Sequence, residues 1–270
     1  MSNNDIWSQS LYLAPYSYII DTHIVEYDIE KANINILCSK GAISKTTRDE
    51  LLTVPKMDRE VAIGRMIRRE PELQNILSRG IGEARKQLFR ILNLSDKNIL
   101  SIKNDAVFVL YDGIVPTIQP VQINELVRFV PKGTYCSFYK IFRKEFYYNY
   151  DLVSQTEGLD IKGMGDYGIE KCRKFIELMC DTFYLACTSG PKAALAKCNE
   201  IYIPYINKQY PIEFYRRLDS HAQYDIVDLS IYSKFQADML APTDLYAVDT
   251  AYNTAVLRLL IAYFTDAAYN

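Results

Sequence analysis

Two short apolar runs flanking a polar tip are the clearest pattern in the first half of the chain. Ile99 to Ile102 and Val107 to Leu110 are apolar and β-prone, and Lys103-Asn104-Asp105 lies between them. This pattern predicts two strands joined in a tight hairpin, with Asp105 at the tip. Because Asn and Asp favour turns for local hydrogen-bonding reasons, an ordinary surface turn is the alternative interpretation.

An earlier β-prone run ends at a second aspartate that could lie near the tip of that hairpin. His23 to Asp28 predicts a strand ending at Asp28, and Ile29 to Leu37 predicts a helix that stops near Gly41. If this strand and the hairpin are neighbours in one sheet, the carboxylates of Asp28 and Asp105 converge. Converging aspartates form a hard oxygen site suited to Mg²⁺ or Mn²⁺, the arrangement used in two-metal phosphoryl or nucleotidyl transfer.

The remaining pattern predicts helices before the hairpin, strands after it, and helices again towards the end of the chain. Helices are predicted over residues 44–54, 56–69 and 71–92. Strands are predicted over 121–130, 134–142 and 145–149, with a turn at Pro131-Lys132-Gly133. Helix is predicted again from Gly158, most clearly over 169–186, followed by a short segment over 191–210 that Pro204 breaks and by a long helix over 243–268. The predicted class is α+β.

Composition indicates a folded protein of one large domain or two modest ones. The chain has 270 residues, 49% of them hydrophobic, which is ample for a packed core. The 31 basic and 33 acidic side chains nearly cancel, but Lys40 to Arg90 holds 12 Lys and Arg against seven Asp and Glu. This basic segment between the two aspartates suits a phosphate-rich substrate, although a solvated helix face would have the same composition.

Cysteine and histidine usage argues against zinc. The six cysteines form no CxxC pair and the chain has two histidines, so buried free thiols are expected. The first residues lack the layout of a signal peptide, and no run reaches the roughly 18 apolar residues of a membrane span. We therefore expect a soluble protein in a reducing cytoplasm, with no membrane partner.

Cationic side chains recur on the helix predicted over residues 56–69. Lys56, Arg59 and Arg65 fall roughly on one face, with Arg68 close to it. Such a stripe could clamp a triphosphate. Asn33, in the helix after Asp28, is expected to lie over the same pocket as that aspartate.

In this order, the segments resemble the palm and thumb of family B DNA polymerases. The stretch from Tyr27 to Leu37 is similar to the first palm motif of that family, an aspartate closing a strand before a helix, and Asp28 matches its metal-binding aspartate. Lys103 to Val109 resembles the D-T-D-S-V-F-V hairpin, with Asp105 on the second aspartate, also a metal ligand. The resemblance covers about residues 24 to 190 and implies a palm with a small antiparallel sheet packed by helices.

Three further matches carry functional implications. Arg59 stands where the family has its triphosphate-binding lysine, with Lys56, Arg65 and Asn33 as further nucleotide-binding candidates. Phe142 to Tyr148 is similar to the motif that contacts the primer–template, which implies that role for Arg143, Lys144 and Tyr148. The segment from Asp160 to Met164 resembles the one that leads into the thumb.

The departures from the family pattern bear on domains and specificity. Asn33 replaces the tyrosine that screens out ribonucleotides, and Lys103 replaces the first aspartate of the hairpin, where its ammonium could substitute for the charge of one metal. The short spacing between Asp28 and Arg59 implies a reduced fingers insertion over about residues 40–92, and no exonuclease domain is expected. The predicted organisation is a palm-like domain over 1–150 and a helical thumb-like and C-terminal region over 151–270.

Two function classes follow from these expectations. The first is a minimal polymerase-like nucleotidyltransferase that adds nucleotides to a primer with Mg²⁺ or Mn²⁺, its partners being nucleoside triphosphates and a DNA or RNA primer–template. The alternative is a catalytically inactive, polymerase-derived nucleic-acid-binding or assembly protein, phage-encoded, with residues 190–270 as the candidate docking segment for a protein partner. Metal-dependent phosphodiester hydrolysis is a third, weaker hypothesis.

Overall fold

The computed structural model describes residues 5–111, 113, 117–151, 153–218 and 250–270. Over these residues the chain is α+β, as predicted, with two small antiparallel sheets. The strands are β1 (Leu11–Leu13), β2 (Tyr18–Ile19), β3 (His23–Ile29), β4 (Ile99–Lys103), β5 (Ala106–Tyr111), β6 (Val121–Gln122), β7 (Arg128–Tyr135), β8 (Ser137–Ile141), β9 (Lys144–Asp151) and β10 (Thr156–Lys162). The helices are α1 (Ala32–Ser39), α2 (Lys45–Thr53), α3 (Lys56–Arg69), α4 (Glu72–Ile91), α5 (Asp166–Lys171), α6 (Arg173–Thr188), α7 (Pro191–Ile206) and α8 (Thr250–Tyr269).

The chain divides into two compact units. The first comprises Met1–Pro15 and Thr22–Thr134, and the second comprises Tyr16–Asp21 and Tyr135–Asn270. The boundary proposed from sequence, at residue 150, falls inside β9 in the second unit.

The first unit is built on a six-stranded sheet with the order β1-β4-β5-β3-β7-β6. The strand β3 lies inside this sheet and is buried along almost its whole length, which explains its continuous run of β-prone residues. It pairs antiparallel with β5 over His23–Asp28, and β5 in turn pairs with β4. The predicted hairpin is confirmed, and it lies beside the strand that carries Asp28.

Helices α1 to α4 belong to the same unit, and α1, α3 and α4 contribute buried side chains to its core. The helix α2 begins after Ser44, whose hydroxyl accepts a hydrogen bond from the Thr47 N–H at 3.0 Å and caps the helix as the sequence indicated. The longest of the four, α4, buries Leu73, Leu77, Ala84 and Leu88. The core also includes Val25, Tyr27, Val107, Val109 and Phe129 from the sheet.

The second unit combines a four-stranded sheet, ordered β10-β9-β8-β2, with helices α5 to α8. Its core is strongly aromatic, because rings from the sheet pack against rings from the helices. Tyr139 of β8 stacks on Phe183 of α6 with 4.2 Å between ring centroids, and Phe264 of α8 packs on Tyr139 edge-on at 5.8 Å. The many tyrosines of the sequence are thus partly explained by this core.

Three expectations about secondary structure are wrong. Pro131-Lys132-Gly133 lies inside β7, beyond Arg128 and Phe129, the two residues that pair with β6. The segment from Gly158 is a strand, since β10 pairs with β9 along its length, and helix begins only at Asp166. Pro204 lies inside α7 in its last turn, so the helix continues unbroken to Ile206. The predicted helix over 243–268 is observed from Thr250, and residues 243–249 lie outside the described residues.

Candidate metal and nucleotide site

Asp28 lies near the end of β3, at the edge where the hairpin turns. Its Cα is paired with Ala106, the residue that follows Asp105. The Ile29 N–H donates a hydrogen bond to the Asp105 carbonyl at 3.2 Å, so the backbones of the two segments are in direct contact. The predicted juxtaposition of strand end and hairpin is therefore present in the fold.

Asp105 is held at the tip by a two-residue turn. Lys103 and Ala106 form the last pair of the ladder, and Asn104 between them adopts a left-handed conformation with φ of 53°. Asparagine tolerates this conformation better than most residues, which explains the local sequence. Burial raises the pKa of the Asp105 carboxyl above its usual value, and Glu60 adds to that effect, while Arg85 and Lys56 oppose it.

The two carboxylate oxygens of Asp28 have different environments. Oδ2 forms an ion pair with Lys132 Nζ, whereas Oδ1 is buried and has no hydrogen-bond partner. The Asp28 side chain is 10% exposed, and the Lys132 side chain is 55% exposed. A buried carboxylate oxygen without a donor is costly, so a ligand that satisfies it would be favoured.

Asp28 and Asp105 both line a pocket of about 270 Å³, here called the carboxylate pocket. Lys56, Arg59 and Lys132 line the same pocket. The structure thus brings two of the predicted nucleotide-binding cations to the predicted metal ligands. Arg65 is exposed on α3 and does not line this pocket.

A larger cavity of about 580 Å³, here called the helix cleft, adjoins the carboxylate pocket. Asn33, Glu60 and Asp105 line both cavities. Asn33 Nδ2 donates to Glu60 Oε2 at 2.7 Å, which places a polar pair at the junction. The rest of the helix cleft combines apolar side chains of α3 and α4 with a few polar groups, and its volume is typical of small-molecule sites.

Arg85 is the unexpected member of the helix cleft. It lies on the buried side of α4, is 1% exposed, and donates from Nη1 to the Asn104 carbonyl at 2.9 Å. Burial lowers its pKa to about 10, and the nearby Asp105 charge opposes that shift. Arg85 therefore fixes the turn that presents Asp105 and places a positive charge near it.

The donor set fits a magnesium-like ion in part. Oxygen ligands from two carboxylates match the preference of Mg²⁺ or Mn²⁺, which bind through few protein ligands together with substrate phosphates. The orphaned Oδ1 of Asp28 supports that fit. Among the described residues, no cluster of three or more His, Cys, Asp or Glu side chains suited to a metal is found. A metal here would be held by Asp28 and Asp105, and it would compete with the Lys132 ammonium for the charge of Asp28.

The predicted primer–template residues lie in the second unit and differ in exposure. Arg143 is exposed in the turn between β8 and β9. Lys144 is 4% exposed and its Nζ lies 3.3 Å from the Tyr252 hydroxyl, while Tyr148 is fully buried in the aromatic core. Burial leaves Tyr148 no surface for direct contact with a polymer, so only Arg143 presents an accessible side chain.

Two residues of the site were missed by the sequence reasoning. The adjacent Pro131 and Gly133 predict a turn at Lys132, whereas the structure places it on a strand beside Asp28. Arg85 had a usable signal, since it is a charged residue next to Ala84 on the apolar stripe of α4.

A protein-family model matches residues 2–240, most of the chain, and is described as the bacteriophage PBS1 gene 130 protein. The chain belongs to this family. A search of the curated proteins gives no match. Within the described residues, no helix combines the length and apolar character needed to cross a membrane. The family points to a phage origin.

Proposed function

We propose that this protein is a minimal polymerase-like nucleotidyltransferase that works at the carboxylate pocket with Mg²⁺ or Mn²⁺. The observation that carries the proposal is the position of Asp28 and Asp105 on touching backbones, with the cations of α3 lining the same pocket. The family points to a phage origin, so the proposed activity would take place in the host cytoplasm.

Each group has a distinct role in this proposal. Asp28 and Asp105 would hold the divalent ions, which would supply activation of a primer hydroxyl and neutralisation of phosphate charge. Lys56 and Arg59 bind the triphosphate, because their positive charges line the pocket beside the two carboxylates and attract an anionic substrate. The helix cleft receives the sugar and base, with Asn33 and Glu60 at the junction where the sugar would lie.

The test is extension of a primed template with deoxynucleotides or ribonucleotides in the presence of Mn²⁺. Asp28→Asn and Asp105→Asn are expected to abolish extension, since each removes a charged oxygen ligand while keeping the side-chain shape. Asp58→Asn, on the exposed face of α3, is the matched control and should extend like the wild type. Extension that persists in the two aspartate variants would contradict the assignment.

The second candidate is a catalytically inactive nucleic-acid-binding or assembly protein, and one observation favours it. Lys132 places its ammonium on Asp28, so the pocket is already partly neutralised by the chain itself. In this case neither metal binding nor extension would be detected.

Cleavage of nucleic acid without added nucleotides would instead support metal-dependent hydrolysis.

A further inference from the structure

Two cysteines of the second unit lie side by side although they are far apart in sequence. Cys136 lies between β7 and β8, and Cys187 lies in the last turn of α6. Their sulfur atoms are 3.0 Å apart, and both residues are free thiols that are partly exposed. Tertiary packing of the sheet against α6 therefore creates a dithiol.

The surroundings give the two sulfurs different chemistry. Cys136 also contacts the Tyr148 carbonyl at 3.5 Å, and Cys187 lies 3.7 Å from the Ser137 hydroxyl. The hydrogen bond shared with Cys187 lowers the pKa of Cys136 to about 7, so Cys136 ionises more readily than its neighbour. The same hydrogen bond, together with burial, raises the pKa of Cys187, which keeps the proton.

The other four cysteines lack this arrangement. Cys38, Cys172 and Cys198 are buried, and Cys172 donates to the Arg217 carbonyl. Cys180 is partly exposed, but burial raises its pKa, with Glu157 adding to the effect. These four thiols are expected to be poorly reactive, because the thiolate is the nucleophile and needs access to its target.

We propose that Cys136 and Cys187 form a thiol-modification site that exchanges with a low-molecular-weight disulfide such as glutathione disulfide. The Cys136 thiolate attacks one sulfur of glutathione disulfide, forms a mixed disulfide and releases one glutathione thiolate. The Cys187 thiol then gives up its proton and attacks the Cys136 sulfur, which releases the second glutathione. In total the protein loses two protons and two electrons, one of the protons having left Cys136 on ionisation, and glutathione disulfide takes up two protons and two electrons to become two thiols.

The geometry requires little rearrangement for the second step. The two sulfurs must approach from 3.0 Å to about 2.0 Å to form the bond. The product would tie the start of β8 to the end of α6. Since both segments border the aromatic core, the cross-link would brace the second unit.

The experiment is peptide mapping by mass spectrometry after the full-length protein is incubated with glutathione disulfide at neutral pH and remaining thiols are alkylated. We expect one peptide pair joined through Cys136 and Cys187, with the other four cysteines alkylated. Cys136 should be consumed at least about tenfold faster than Cys180. Cys180→Ser, on the same helix as Cys187, is the matched control and should leave the cross-link unchanged.

Variants of the pair separate the two steps. Cys187→Ser should accumulate glutathione on Cys136, because the resolving thiol is absent, whereas Cys136→Ser should leave Cys187 unmodified. The wild-type map decides the matter if either variant fails to fold. Six alkylated cysteines in the wild type, a mixed disulfide on Cys136 that never resolves, or equal modification of all six thiols would overturn the proposal.

Discussion

Replacing Lys132 by methionine tests the competition between its ammonium and a divalent ion for Asp28. In the structure, Lys132 pairs with Oδ2 of Asp28, whose side chain is 10% exposed. A metal at this carboxylate competes with the lysine for the same negative charge, so the free energy of the ion pair reduces the free energy gained on metal binding. Lys132→Met keeps most of the side-chain length and removes only the competing charge.

The expected magnitude follows from the exposure of the pair. Because the Lys132 side chain is 55% exposed, the ion pair is worth about 1 kcal/mol and not the larger values of a fully buried pair. Loss of that competition should tighten Mn²⁺ binding about fivefold. Without metal, the variant should be less stable than the wild type, since the buried carboxylate of Asp28 loses its partner. Saturating Mn²⁺ should then stabilise the variant more than the wild type.

The assay is calorimetric or paramagnetic titration with Mn²⁺, combined with thermal unfolding with and without the ion. Lys45→Met removes a lysine from the exposed start of α2 and controls for the loss of one positive charge. Raising the salt concentration should narrow the gap between wild type and Lys132→Met, because screening weakens the partly exposed ion pair. Unchanged or weaker Mn²⁺ binding in Lys132→Met would refute the reasoning.

Three further predictions concern stability and can be measured by urea unfolding. Asp105→Asn should raise the free energy of unfolding near neutral pH, because burial penalises the ionised carboxylate and so raises its pKa; this stabilisation should shrink at a pH of about 4, where the carboxyl of the wild type becomes protonated. A stabilisation that does not depend on pH, or an equal one in the exposed control Asp58→Asn, would count against this. Gly80→Ala should destabilise by about 1–3 kcal/mol, because the added Cβ would overlap Ile36 Cγ2, and a stabilised variant would show that the α1–α4 contact is looser than described. Gly64→Ala, on the neighbouring helix with nothing within 4 Å of the new Cβ, should stabilise by about 0.5–1 kcal/mol, and a loss of stability there would contradict the open surroundings of that site.

The sequence predicted the first half of the fold well, because its signals there are local. The cap at Ser44, the proline between α2 and α3, and the polar tip of the hairpin each act within a few residues. The second half was harder. The strand β10 is a strand because it pairs with β9 along its length, and β7 continues through Pro131 as the strand that lies between β3 and β6. Pairing partners of this kind are not visible in a local pattern.

In the candidate site, too, the residues with local signals were predictable and those placed by distant partners were not. Asp28 and Asp105 were predictable because each closes a recognisable β segment, and their adjacency follows from the pairing of β3 with β5. Lys132 and Arg85 were not predicted, since their roles depend on which strand passes Asp28 and which helix face covers the hairpin. Tyr148 has the spacing of a surface motif but lies in an aromatic core, because its strand is covered by α6.

Anomalous diffraction from crystals of the protein grown with Mn²⁺ and a nonhydrolysable nucleoside triphosphate tests the central claim most directly. We predict an anomalous peak at coordinating distance, about 2–2.3 Å, from carboxylate oxygens of both Asp28 and Asp105, with Lys132 displaced from Asp28. A carboxylate pocket without a peak, with Lys132 still paired to Asp28 at saturating Mn²⁺, would contradict it.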